Sequence, residues 1–222
     1  MLPATLLVVS ASLVRIDPVH AVAGCALAIL GYGLRTILVQ LRSIDIQARL
    51  DRLSRIDPLT GLANRRQFDE SLRRERDRAS RTGASMALLM IDVDHFKMLN
   101  DEFGHPVGDE RLRAVAKALA GCAAHDFSLV ARYGGEEFAA ILPAATPVQA
   151  MDLAERMRNA VERLALPSPA VEGRVTVSIG IGHVCRIDGG GAAALIADAD
   201  AALYQAKRGG RNRSVVCEAM SG

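Results

Sequence analysis

Residues 127–143 read FSLVARYGGEEFAAILP, two apolar runs separated by Gly134-Gly135 and a pair of glutamates. A Gly-Gly pair between two such runs signals a β-hairpin, because glycine reaches the positive-φ backbone of a tight turn without a steric penalty. Residues 127–133 and 137–143 are therefore expected to lie side by side and antiparallel. Adjacent side chains on an extended chain point to opposite faces, so Glu136 and Glu137, at the tip or the first strand positions, should take different partners. One of them is placed to hold a cation, and the glycines let a ligand approach the backbone; a merely charged hairpin tip would leave the same letters.

Outward from the hairpin, the chain from Asp57 alternates strand-like and helix-like stretches. MALLMI (86–91) and RVTVSIGIG (174–182) read as further strands, and SVVCE (214–218) is placed to close the sheet. Apolar residues recur at helical spacing over roughly 64–82, 106–121, 147–164 and 192–208. This alternation implies an α/β or α+β domain. No internal repeat is visible, and the glycines at 189–191 read as a loop.

Three more segments carry chemistry-bearing residues. In IDVDHFK (91–97), Asp92 and Asp94 follow an apolar strand, share a side if the extended geometry continues, and are candidates for a hard cation, as they are for solvated turn acids. In NDEFGHPVGDERL (100–112), Asn100 and Asp109 flank a glycine-punctuated loop. They suit the donors at N1 and N2 of a guanine, or equally a turn and a helix start, with His105 between them. In DADAALYQAKRGGRNR (198–213), Lys207 and Arg211 fall near a helix end, where cations bind phosphate oxygens or simply complement the helix dipole. Gly209-Gly210 should interrupt that helix.

Composition narrows the classes. The formal charge is +2 over 222 residues, and five Phe, three Tyr and no Trp leave little to stack on bases, so no nucleic-acid partner is expected. Cys25, Cys122, Cys185 and Cys217 lie far apart, without the close pairs of zinc or redox sites, and fit a reducing compartment.

The N-terminus differs from the rest. Residues 2–14 and 19–34 are almost free of charge, and the second run approaches the roughly 20 apolar residues of a membrane helix if extended to about Leu41. A membrane hairpin, a signal peptide with an anchor, a fragment of a larger sensor, or helices packed on the following domain all fit. A signal peptide fits worst, for lack of a basic start. Arg35, Arg42, Arg49, Arg52 and Arg55 follow the second run and only Arg15 lies between the runs. The positive-inside rule then places the C-terminal domain in the cytoplasm, attached to the cell inner membrane. The expected layout is 1–42 hydrophobic membrane segments, 43–56 a linker or signalling helix, and 57–218 the C-terminal domain.

These four segments, together with DPLTGLANRR at 57–66, occur in the order and spacing of the GGDEF diguanylate cyclase family, which residues 55–218 resemble. The resemblance implies a ferredoxin-like palm of the nucleotidyl-cyclase type, with a mostly antiparallel central sheet, here preceded by N-terminal hydrophobic helices. It implies that Asp92 and Glu136 are the catalytic carboxylates and bind Mg2+, or Mn2+, together with the Val93 carbonyl. By the same resemblance Asn100 and Asp109 hold guanine near His105, while Lys207, Arg211 and the amides around His95 and Phe96 contact phosphates. The implied reaction condenses two GTP into cyclic di-GMP with release of two pyrophosphates, in a membrane-anchored homodimer. Glu136 is the family's candidate proton acceptor, although a cation-bound carboxylate is a weak base. One departure stands out: an inhibitory RxxD is expected just before the GG pair, and His125-Asp126-Phe127-Ser128 stands there instead. Inhibition by product through that site is not expected. The alternative is a catalytically silent GGDEF domain that binds nucleotide or dimerises.

Overall fold

The apolar stretch from Met86 to Val93 forms a strand buried at every position. Ala87, Leu89, Ile91 and Val93 belong to one hydrophobic cluster, and Met86, Leu88 and Met90 to the other. The two-residue period of a strand therefore feeds two cores, and a run apolar at both parities is what a doubly covered strand requires.

The computed structural model describes residues 22, 27, 29–42, 54–123, 129–170, 173–185 and 191–217. The chain divides into two compact units, Met1–Ser54 and Arg55–Gly222. In the second, the order is β1 (Ala63–Asn64), α1 (Arg65–Thr82), β2 (Met86–Val93), α2 (Phe96–Phe103), α3 (His105–Ala123), β3 (Leu129–Gly134), β4 (Glu137–Pro143), α4 (Pro147–Arg163), β5 (Val177–Val184), α5 (Gly191–Arg208) and β6 (Ser214–Val216). The strands form one six-stranded sheet in the order β1-β3-β4-β2-β5-β6. One face carries α3 and α4 through Leu112, Leu119, Leu153 and Met157, and the other carries α1 and α5 through Phe68, Leu72, Leu195 and Leu203.

The expected hairpin is present, with β3 and β4 antiparallel and Gly134 opposite Glu137. The expectation of a mostly antiparallel sheet is corrected: the sheet is mixed. β3, β4, β2 and β5 pair antiparallel, but β1 runs parallel to β3 and β6 parallel to β5. At the second edge the reason is connectivity, since α5 carries the chain from β5 back across the sheet and the next strand starts from the same end. Gly180 makes that crossover fit, because a Cβ there would run into the Ala199 carbonyl and the Leu203 backbone of α5.

The N-terminal unit shows a helical stretch at 29–42 with exposed apolar side chains, among them Leu30, Tyr32 and Leu38. Among the described residues no helix is long and apolar enough to cross a membrane. The 29–42 stretch includes Arg35 and Arg42, charges that a hydrocarbon layer disfavours. The expected membrane span is corrected accordingly, and with it the inner-membrane location that rested on that span. The run at 2–14 and residues 43–53 of the linker lie outside the described residues, as do His125 to Ser128.

Candidate active site at the end of β2

Strand β2 ends in Asp92 and Val93, beside the turn that joins β3 to β4. Asp92 stands opposite Glu137 on β4 and Ser178 on β5. The Val93 amide donates to the Glu136 carbonyl at 3.3 Å, which fixes the hairpin tip against the strand end. Asp92, Val93 and Glu136 are thus brought together by backbone pairing alone.

Asp92 follows the parity of Met86, Leu88 and Met90, so it faces the α5 side of the sheet. There the Lys207 ammonium lies 2.9 Å from its Oδ2, with the aspartate side chain 11% exposed and the lysine 33%. Burial pushes the Asp92 carboxyl above its usual 3.8, the Lys207 ammonium pulls it back, and the charges of Glu136 and Glu137 raise it again; the net shift is upward. A carboxylate that is buried, crowded by other acids and already paired with one cation is a site short of positive charge.

That donor set fits a small hard cation. Among the described residues no group of three or more His, Cys, Asp or Glu is placed to hold an ion. An ion here would therefore rest on two carboxylates, a carbonyl and the oxygens of a ligand. This is how Mg2+ is commonly bound next to phosphates, since it dehydrates reluctantly and leaves positions for substrate oxygens and water.

Asp94 does something else. β2 stops at Val93, and Asp94 is 3% exposed. Its carboxylate accepts from Thr176 Oγ1 at 2.8 Å, Ser178 Oγ at 2.6 Å and the Asn212 amide at 3.1 Å. The geometry divides the two aspartates: Asp92 faces the site and Asp94 pins the sheet to the loop after α5.

The other candidate residues surround this end of β2. His95 sits in the left-handed region at φ 57 and precedes the first turn of α2, which begins at Phe96. Asn100 is on α2, and its Oδ1 is buried without a hydrogen-bond partner. It lies over Gly108 of α3, where an added Cβ would overlap Oδ1. Asp109 follows Gly108 and is half-buried, whereas His105, at the start of α3, is exposed. An acceptor left unpaired in a buried setting costs roughly 1–3 kcal/mol, which fits a position kept for a donor on a ligand. α5 ends at Arg208, so Lys207 and Arg211 do not share a helical face. Arg211 lies in the following loop at φ 61, with its amide bonded to the Ala206 carbonyl at 3.0 Å.

Sequence reasoning missed the latch on the hairpin. Arg132 donates from Nε and Nη2 to the Gly135 carbonyl at 2.9 and 2.7 Å, and from Nη1 to Asp57 at 3.2 and 3.3 Å. Asp57 also accepts from the Thr60 amide and hydroxyl at 2.9 and 2.7 Å, folding residues 57–60 into a turn. Burial would raise the Asp57 pKa, but Thr60 and the Arg132 guanidinium outweigh it and the net shift is downward. An Asp three residues before a Thr was the available signal for the turn; nothing local pointed to Arg132.

A separate cavity of about 650 Å³ opens at the far end of β2, among Glu75, Arg78, Met86 and Pro143, and includes none of the candidate residues.

This sheet order, with carboxylates at the end of β2 and on the adjoining hairpin tip, defines a nucleotidyl-cyclase palm. Residues 54–213 match the family model described as diguanylate cyclase, GGDEF domain, and the chain belongs to that family. Diguanylate cyclase VdcA of Vibrio cholerae is 40% identical over 169 residues, covering 75% of this chain and 48% of that protein. Response regulator PleD of Caulobacter vibrioides is 42% identical over 163 residues, 72% of this chain and 35% of that protein. The chain thus spans less than half the length of these curated relatives. Among solved structures, the GGDEF domain of DgcB from Caulobacter crescentus in complex with c-di-GMP superposes with a TM-score of 0.68 at 39% identity, covering 74% of this chain and 94% of that one. Diguanylate cyclases of this family generally use a divalent metal.

Proposed function

We propose that this chain is a diguanylate cyclase that condenses two GTP into cyclic di-GMP and releases two pyrophosphates, acting as a homodimer with Mg2+, for which Mn2+ can substitute. The observation that carries this reading is the joining of Asp92, Val93 and Glu136 at one point by the β2–β4 pairing, with Lys207 beside them. The names of relatives such as VdcA point the same way.

In this reading Asp92 and Glu136 hold the cation by side chain and Val93 by its carbonyl. When bound, the cation neutralises charge developing on the leaving pyrophosphate and lowers the pKa of the attacking hydroxyl. Asn100 and Asp109 orient the guanine: the unpaired Asn100 Oδ1 accepts from the base, with the exposed His105 nearby. Lys207 and Arg211 bind triphosphate oxygens, joined by the amides at His95 and Phe96, since the start of α2 presents unpaired N–H groups to an anion. The 3′-oxygen of one GTP then attacks the α-phosphorus of the other. The P–O bond to the β-phosphate breaks, pyrophosphate departs and the hydroxyl proton is lost; Glu136 is its candidate acceptor. A second, symmetric attack closes the ring. One domain presents one GTP, so the twofold product calls for two domains face to face.

The test is chromatography of the products formed from GTP and Mg2+ by the full chain and by its Glu136→Gln variant. The unmutated chain should form cyclic di-GMP, and the variant should lose more than about a hundredfold in rate while its melting temperature stays close to that of the parent. Normal turnover by the variant would remove the metal-site assignment. No product from either protein, even with a dimerising helix fused to the chain, would favour the silent nucleotide-binding module.

A further inference from the structure

Resting on the reading of Arg211 as a phosphate ligand, the geometry points to Asn212 as a positioning residue. It holds the loop after α5 in the shape that presents Arg211, and it is itself held by Asp94 and by Arg158 and Glu162 of α4.

Arg211 and Asn212 are consecutive non-glycine residues with positive φ, 61 and 45. Left-handed backbone costs an ordinary side chain about 1–2 kcal/mol, less for Asn, and persists where surrounding contacts impose it. The Arg211 backbone is held locally, its amide meeting the Ala206 carbonyl and its carbonyl accepting from Arg213 Nε, both at 3.0 Å, whereas the ties from this loop to β2 and α4 converge on Asn212. Its amide donates to Asp94 Oδ2 at 3.1 Å, tying the loop to the residue just past the end of β2. Its Oδ1 accepts from Arg158 Nη1 at 3.0 Å, and its Nδ2 donates to Glu162 Oε1 at 3.2 Å. Arg158 is fixed in turn by Glu155 at 3.0 Å, Glu162 at 2.9 Å and Asn159 at 2.7 Å. The arginine side chain is 15% exposed, so these bonds are not loose surface pairs. Hydrogen bonds from Arg158 and then from Asn212 draw the Glu162 pKa below its usual value, so Glu162 acts as a charged acceptor in this network.

The three anchors are Asp94, just past the end of β2, and Arg158 and Glu162 of α4, whereas Arg211 shows no comparable anchoring of its side chain toward them. Its own backbone bond runs back to Ala206. The direction of the Arg211 side chain is therefore set by its neighbour. The residue type is specific as well: a side chain here must tolerate φ 45, accept from a guanidinium and donate to a carboxylate, which an amide does and an aspartate does not.

The experiment uses the full chain and four variants: Asn212→Gly, Arg158→Gln, Arg211→Ala, and Asn212→Gly with Arg211→Ala. Binding of the α,β-methylene analogue of GTP, which cannot release pyrophosphate, is measured by calorimetry. Cyclic di-GMP formation is followed against GTP concentration, and melting temperatures are recorded. Asn212→Gly keeps the positive φ and removes both side-chain bonds. It should weaken analogue binding roughly tenfold and raise the half-saturating GTP concentration by a similar factor, with maximal rate changed by less than about threefold. Arg158→Gln, which leaves the loop sequence untouched, should shift both in the same direction. In the Arg211→Ala background the Asn212 change should have less than about a twofold further effect, because its target is gone. Equal losses with and without Arg211 would overturn the assignment, as would unchanged binding in Asn212→Gly and Arg158→Gln when Arg211→Ala is impaired. If Arg211→Ala binds the analogue normally, the reading of Arg211 as a phosphate ligand fails and this inference falls with it.

Discussion

Asp92 carries a conflict between stability and function. Its folded pKa lies above 3.8 through burial, only partly offset by Lys207. The folded state therefore binds more protons than the unfolded one between 3.8 and the raised value, and stability falls as pH rises through that window. Asp92→Asn should consequently melt at the same or a higher temperature than the parent at neutral pH while losing cyclase activity; a clear drop in melting temperature would mean the Lys207 pair outweighs the burial cost. The same shift places the acidic limb of the pH–rate profile above 3.8 when the divalent ion is limiting. A protonated carboxyl does not bind the ion, so added metal should move that limb to lower pH.

Among the elements, the hairpin depends on a latch outside its own sequence. Arg132 joins the Gly135 carbonyl to Asp57, and both charged side chains are under one-fifth exposed, at 17% and 16%. Arg132→Ala should lower unfolding free energy by about 2 kcal/mol, read from denaturant midpoints. Asp57 has a depressed folded pKa, so its stabilisation is present above the usual 3.8 and fades as pH falls through the folded value. The difference between parent and Arg132→Ala should shrink in acid; a difference constant down to pH 2 would assign the loss to the Gly135 contact alone. On the other face, Gly180→Ala drives a Cβ into the backbone of α5 and should cost about 3 kcal/mol or prevent soluble expression, where alanine at exposed Gly121 of α3 should be tolerated.

At the level of the whole molecule, the proposed reaction, with a twofold product and one GTP per domain, makes activity depend on encounter. Specific activity should rise with protein concentration and level off once dimers dominate, and fusing a dimerising helix should flatten that dependence. Strict proportionality between rate and enzyme concentration down to the nanomolar range would refute an obligatory dimer that dissociates under assay. The helical stretch at 29–42, with its exposed apolar side chains, lies in the other compact unit and can be removed to ask whether it contributes to association.

Much of this was legible in the order of residues because it is governed by local rules. The Gly-Gly hairpin, the apolar strand expected at 86–91 and found at 86–93, and the four long helices follow from backbone preference and burial pattern, and they fell where expected within a few residues. The pairs Asp92/Asp94 and Glu136/Glu137 stood out because they flank apolar strands, and the choice of Asp92 and Glu136 within them came from the family resemblance. α2 was missed because an eight-residue helix offers too few turns for a period to show, and β1 because two residues carry no alternation. The parallel β5–β6 edge of the sheet depends on which way α5 returns the chain, and the membrane span on whether apolar composition becomes a helix of sufficient length. Above all, the division of labour between Asp92 and Asp94 could not be read from a DxD pair. The partners of Asp94 lie 82, 84 and 118 residues away, and only packing decides which carboxylate meets them.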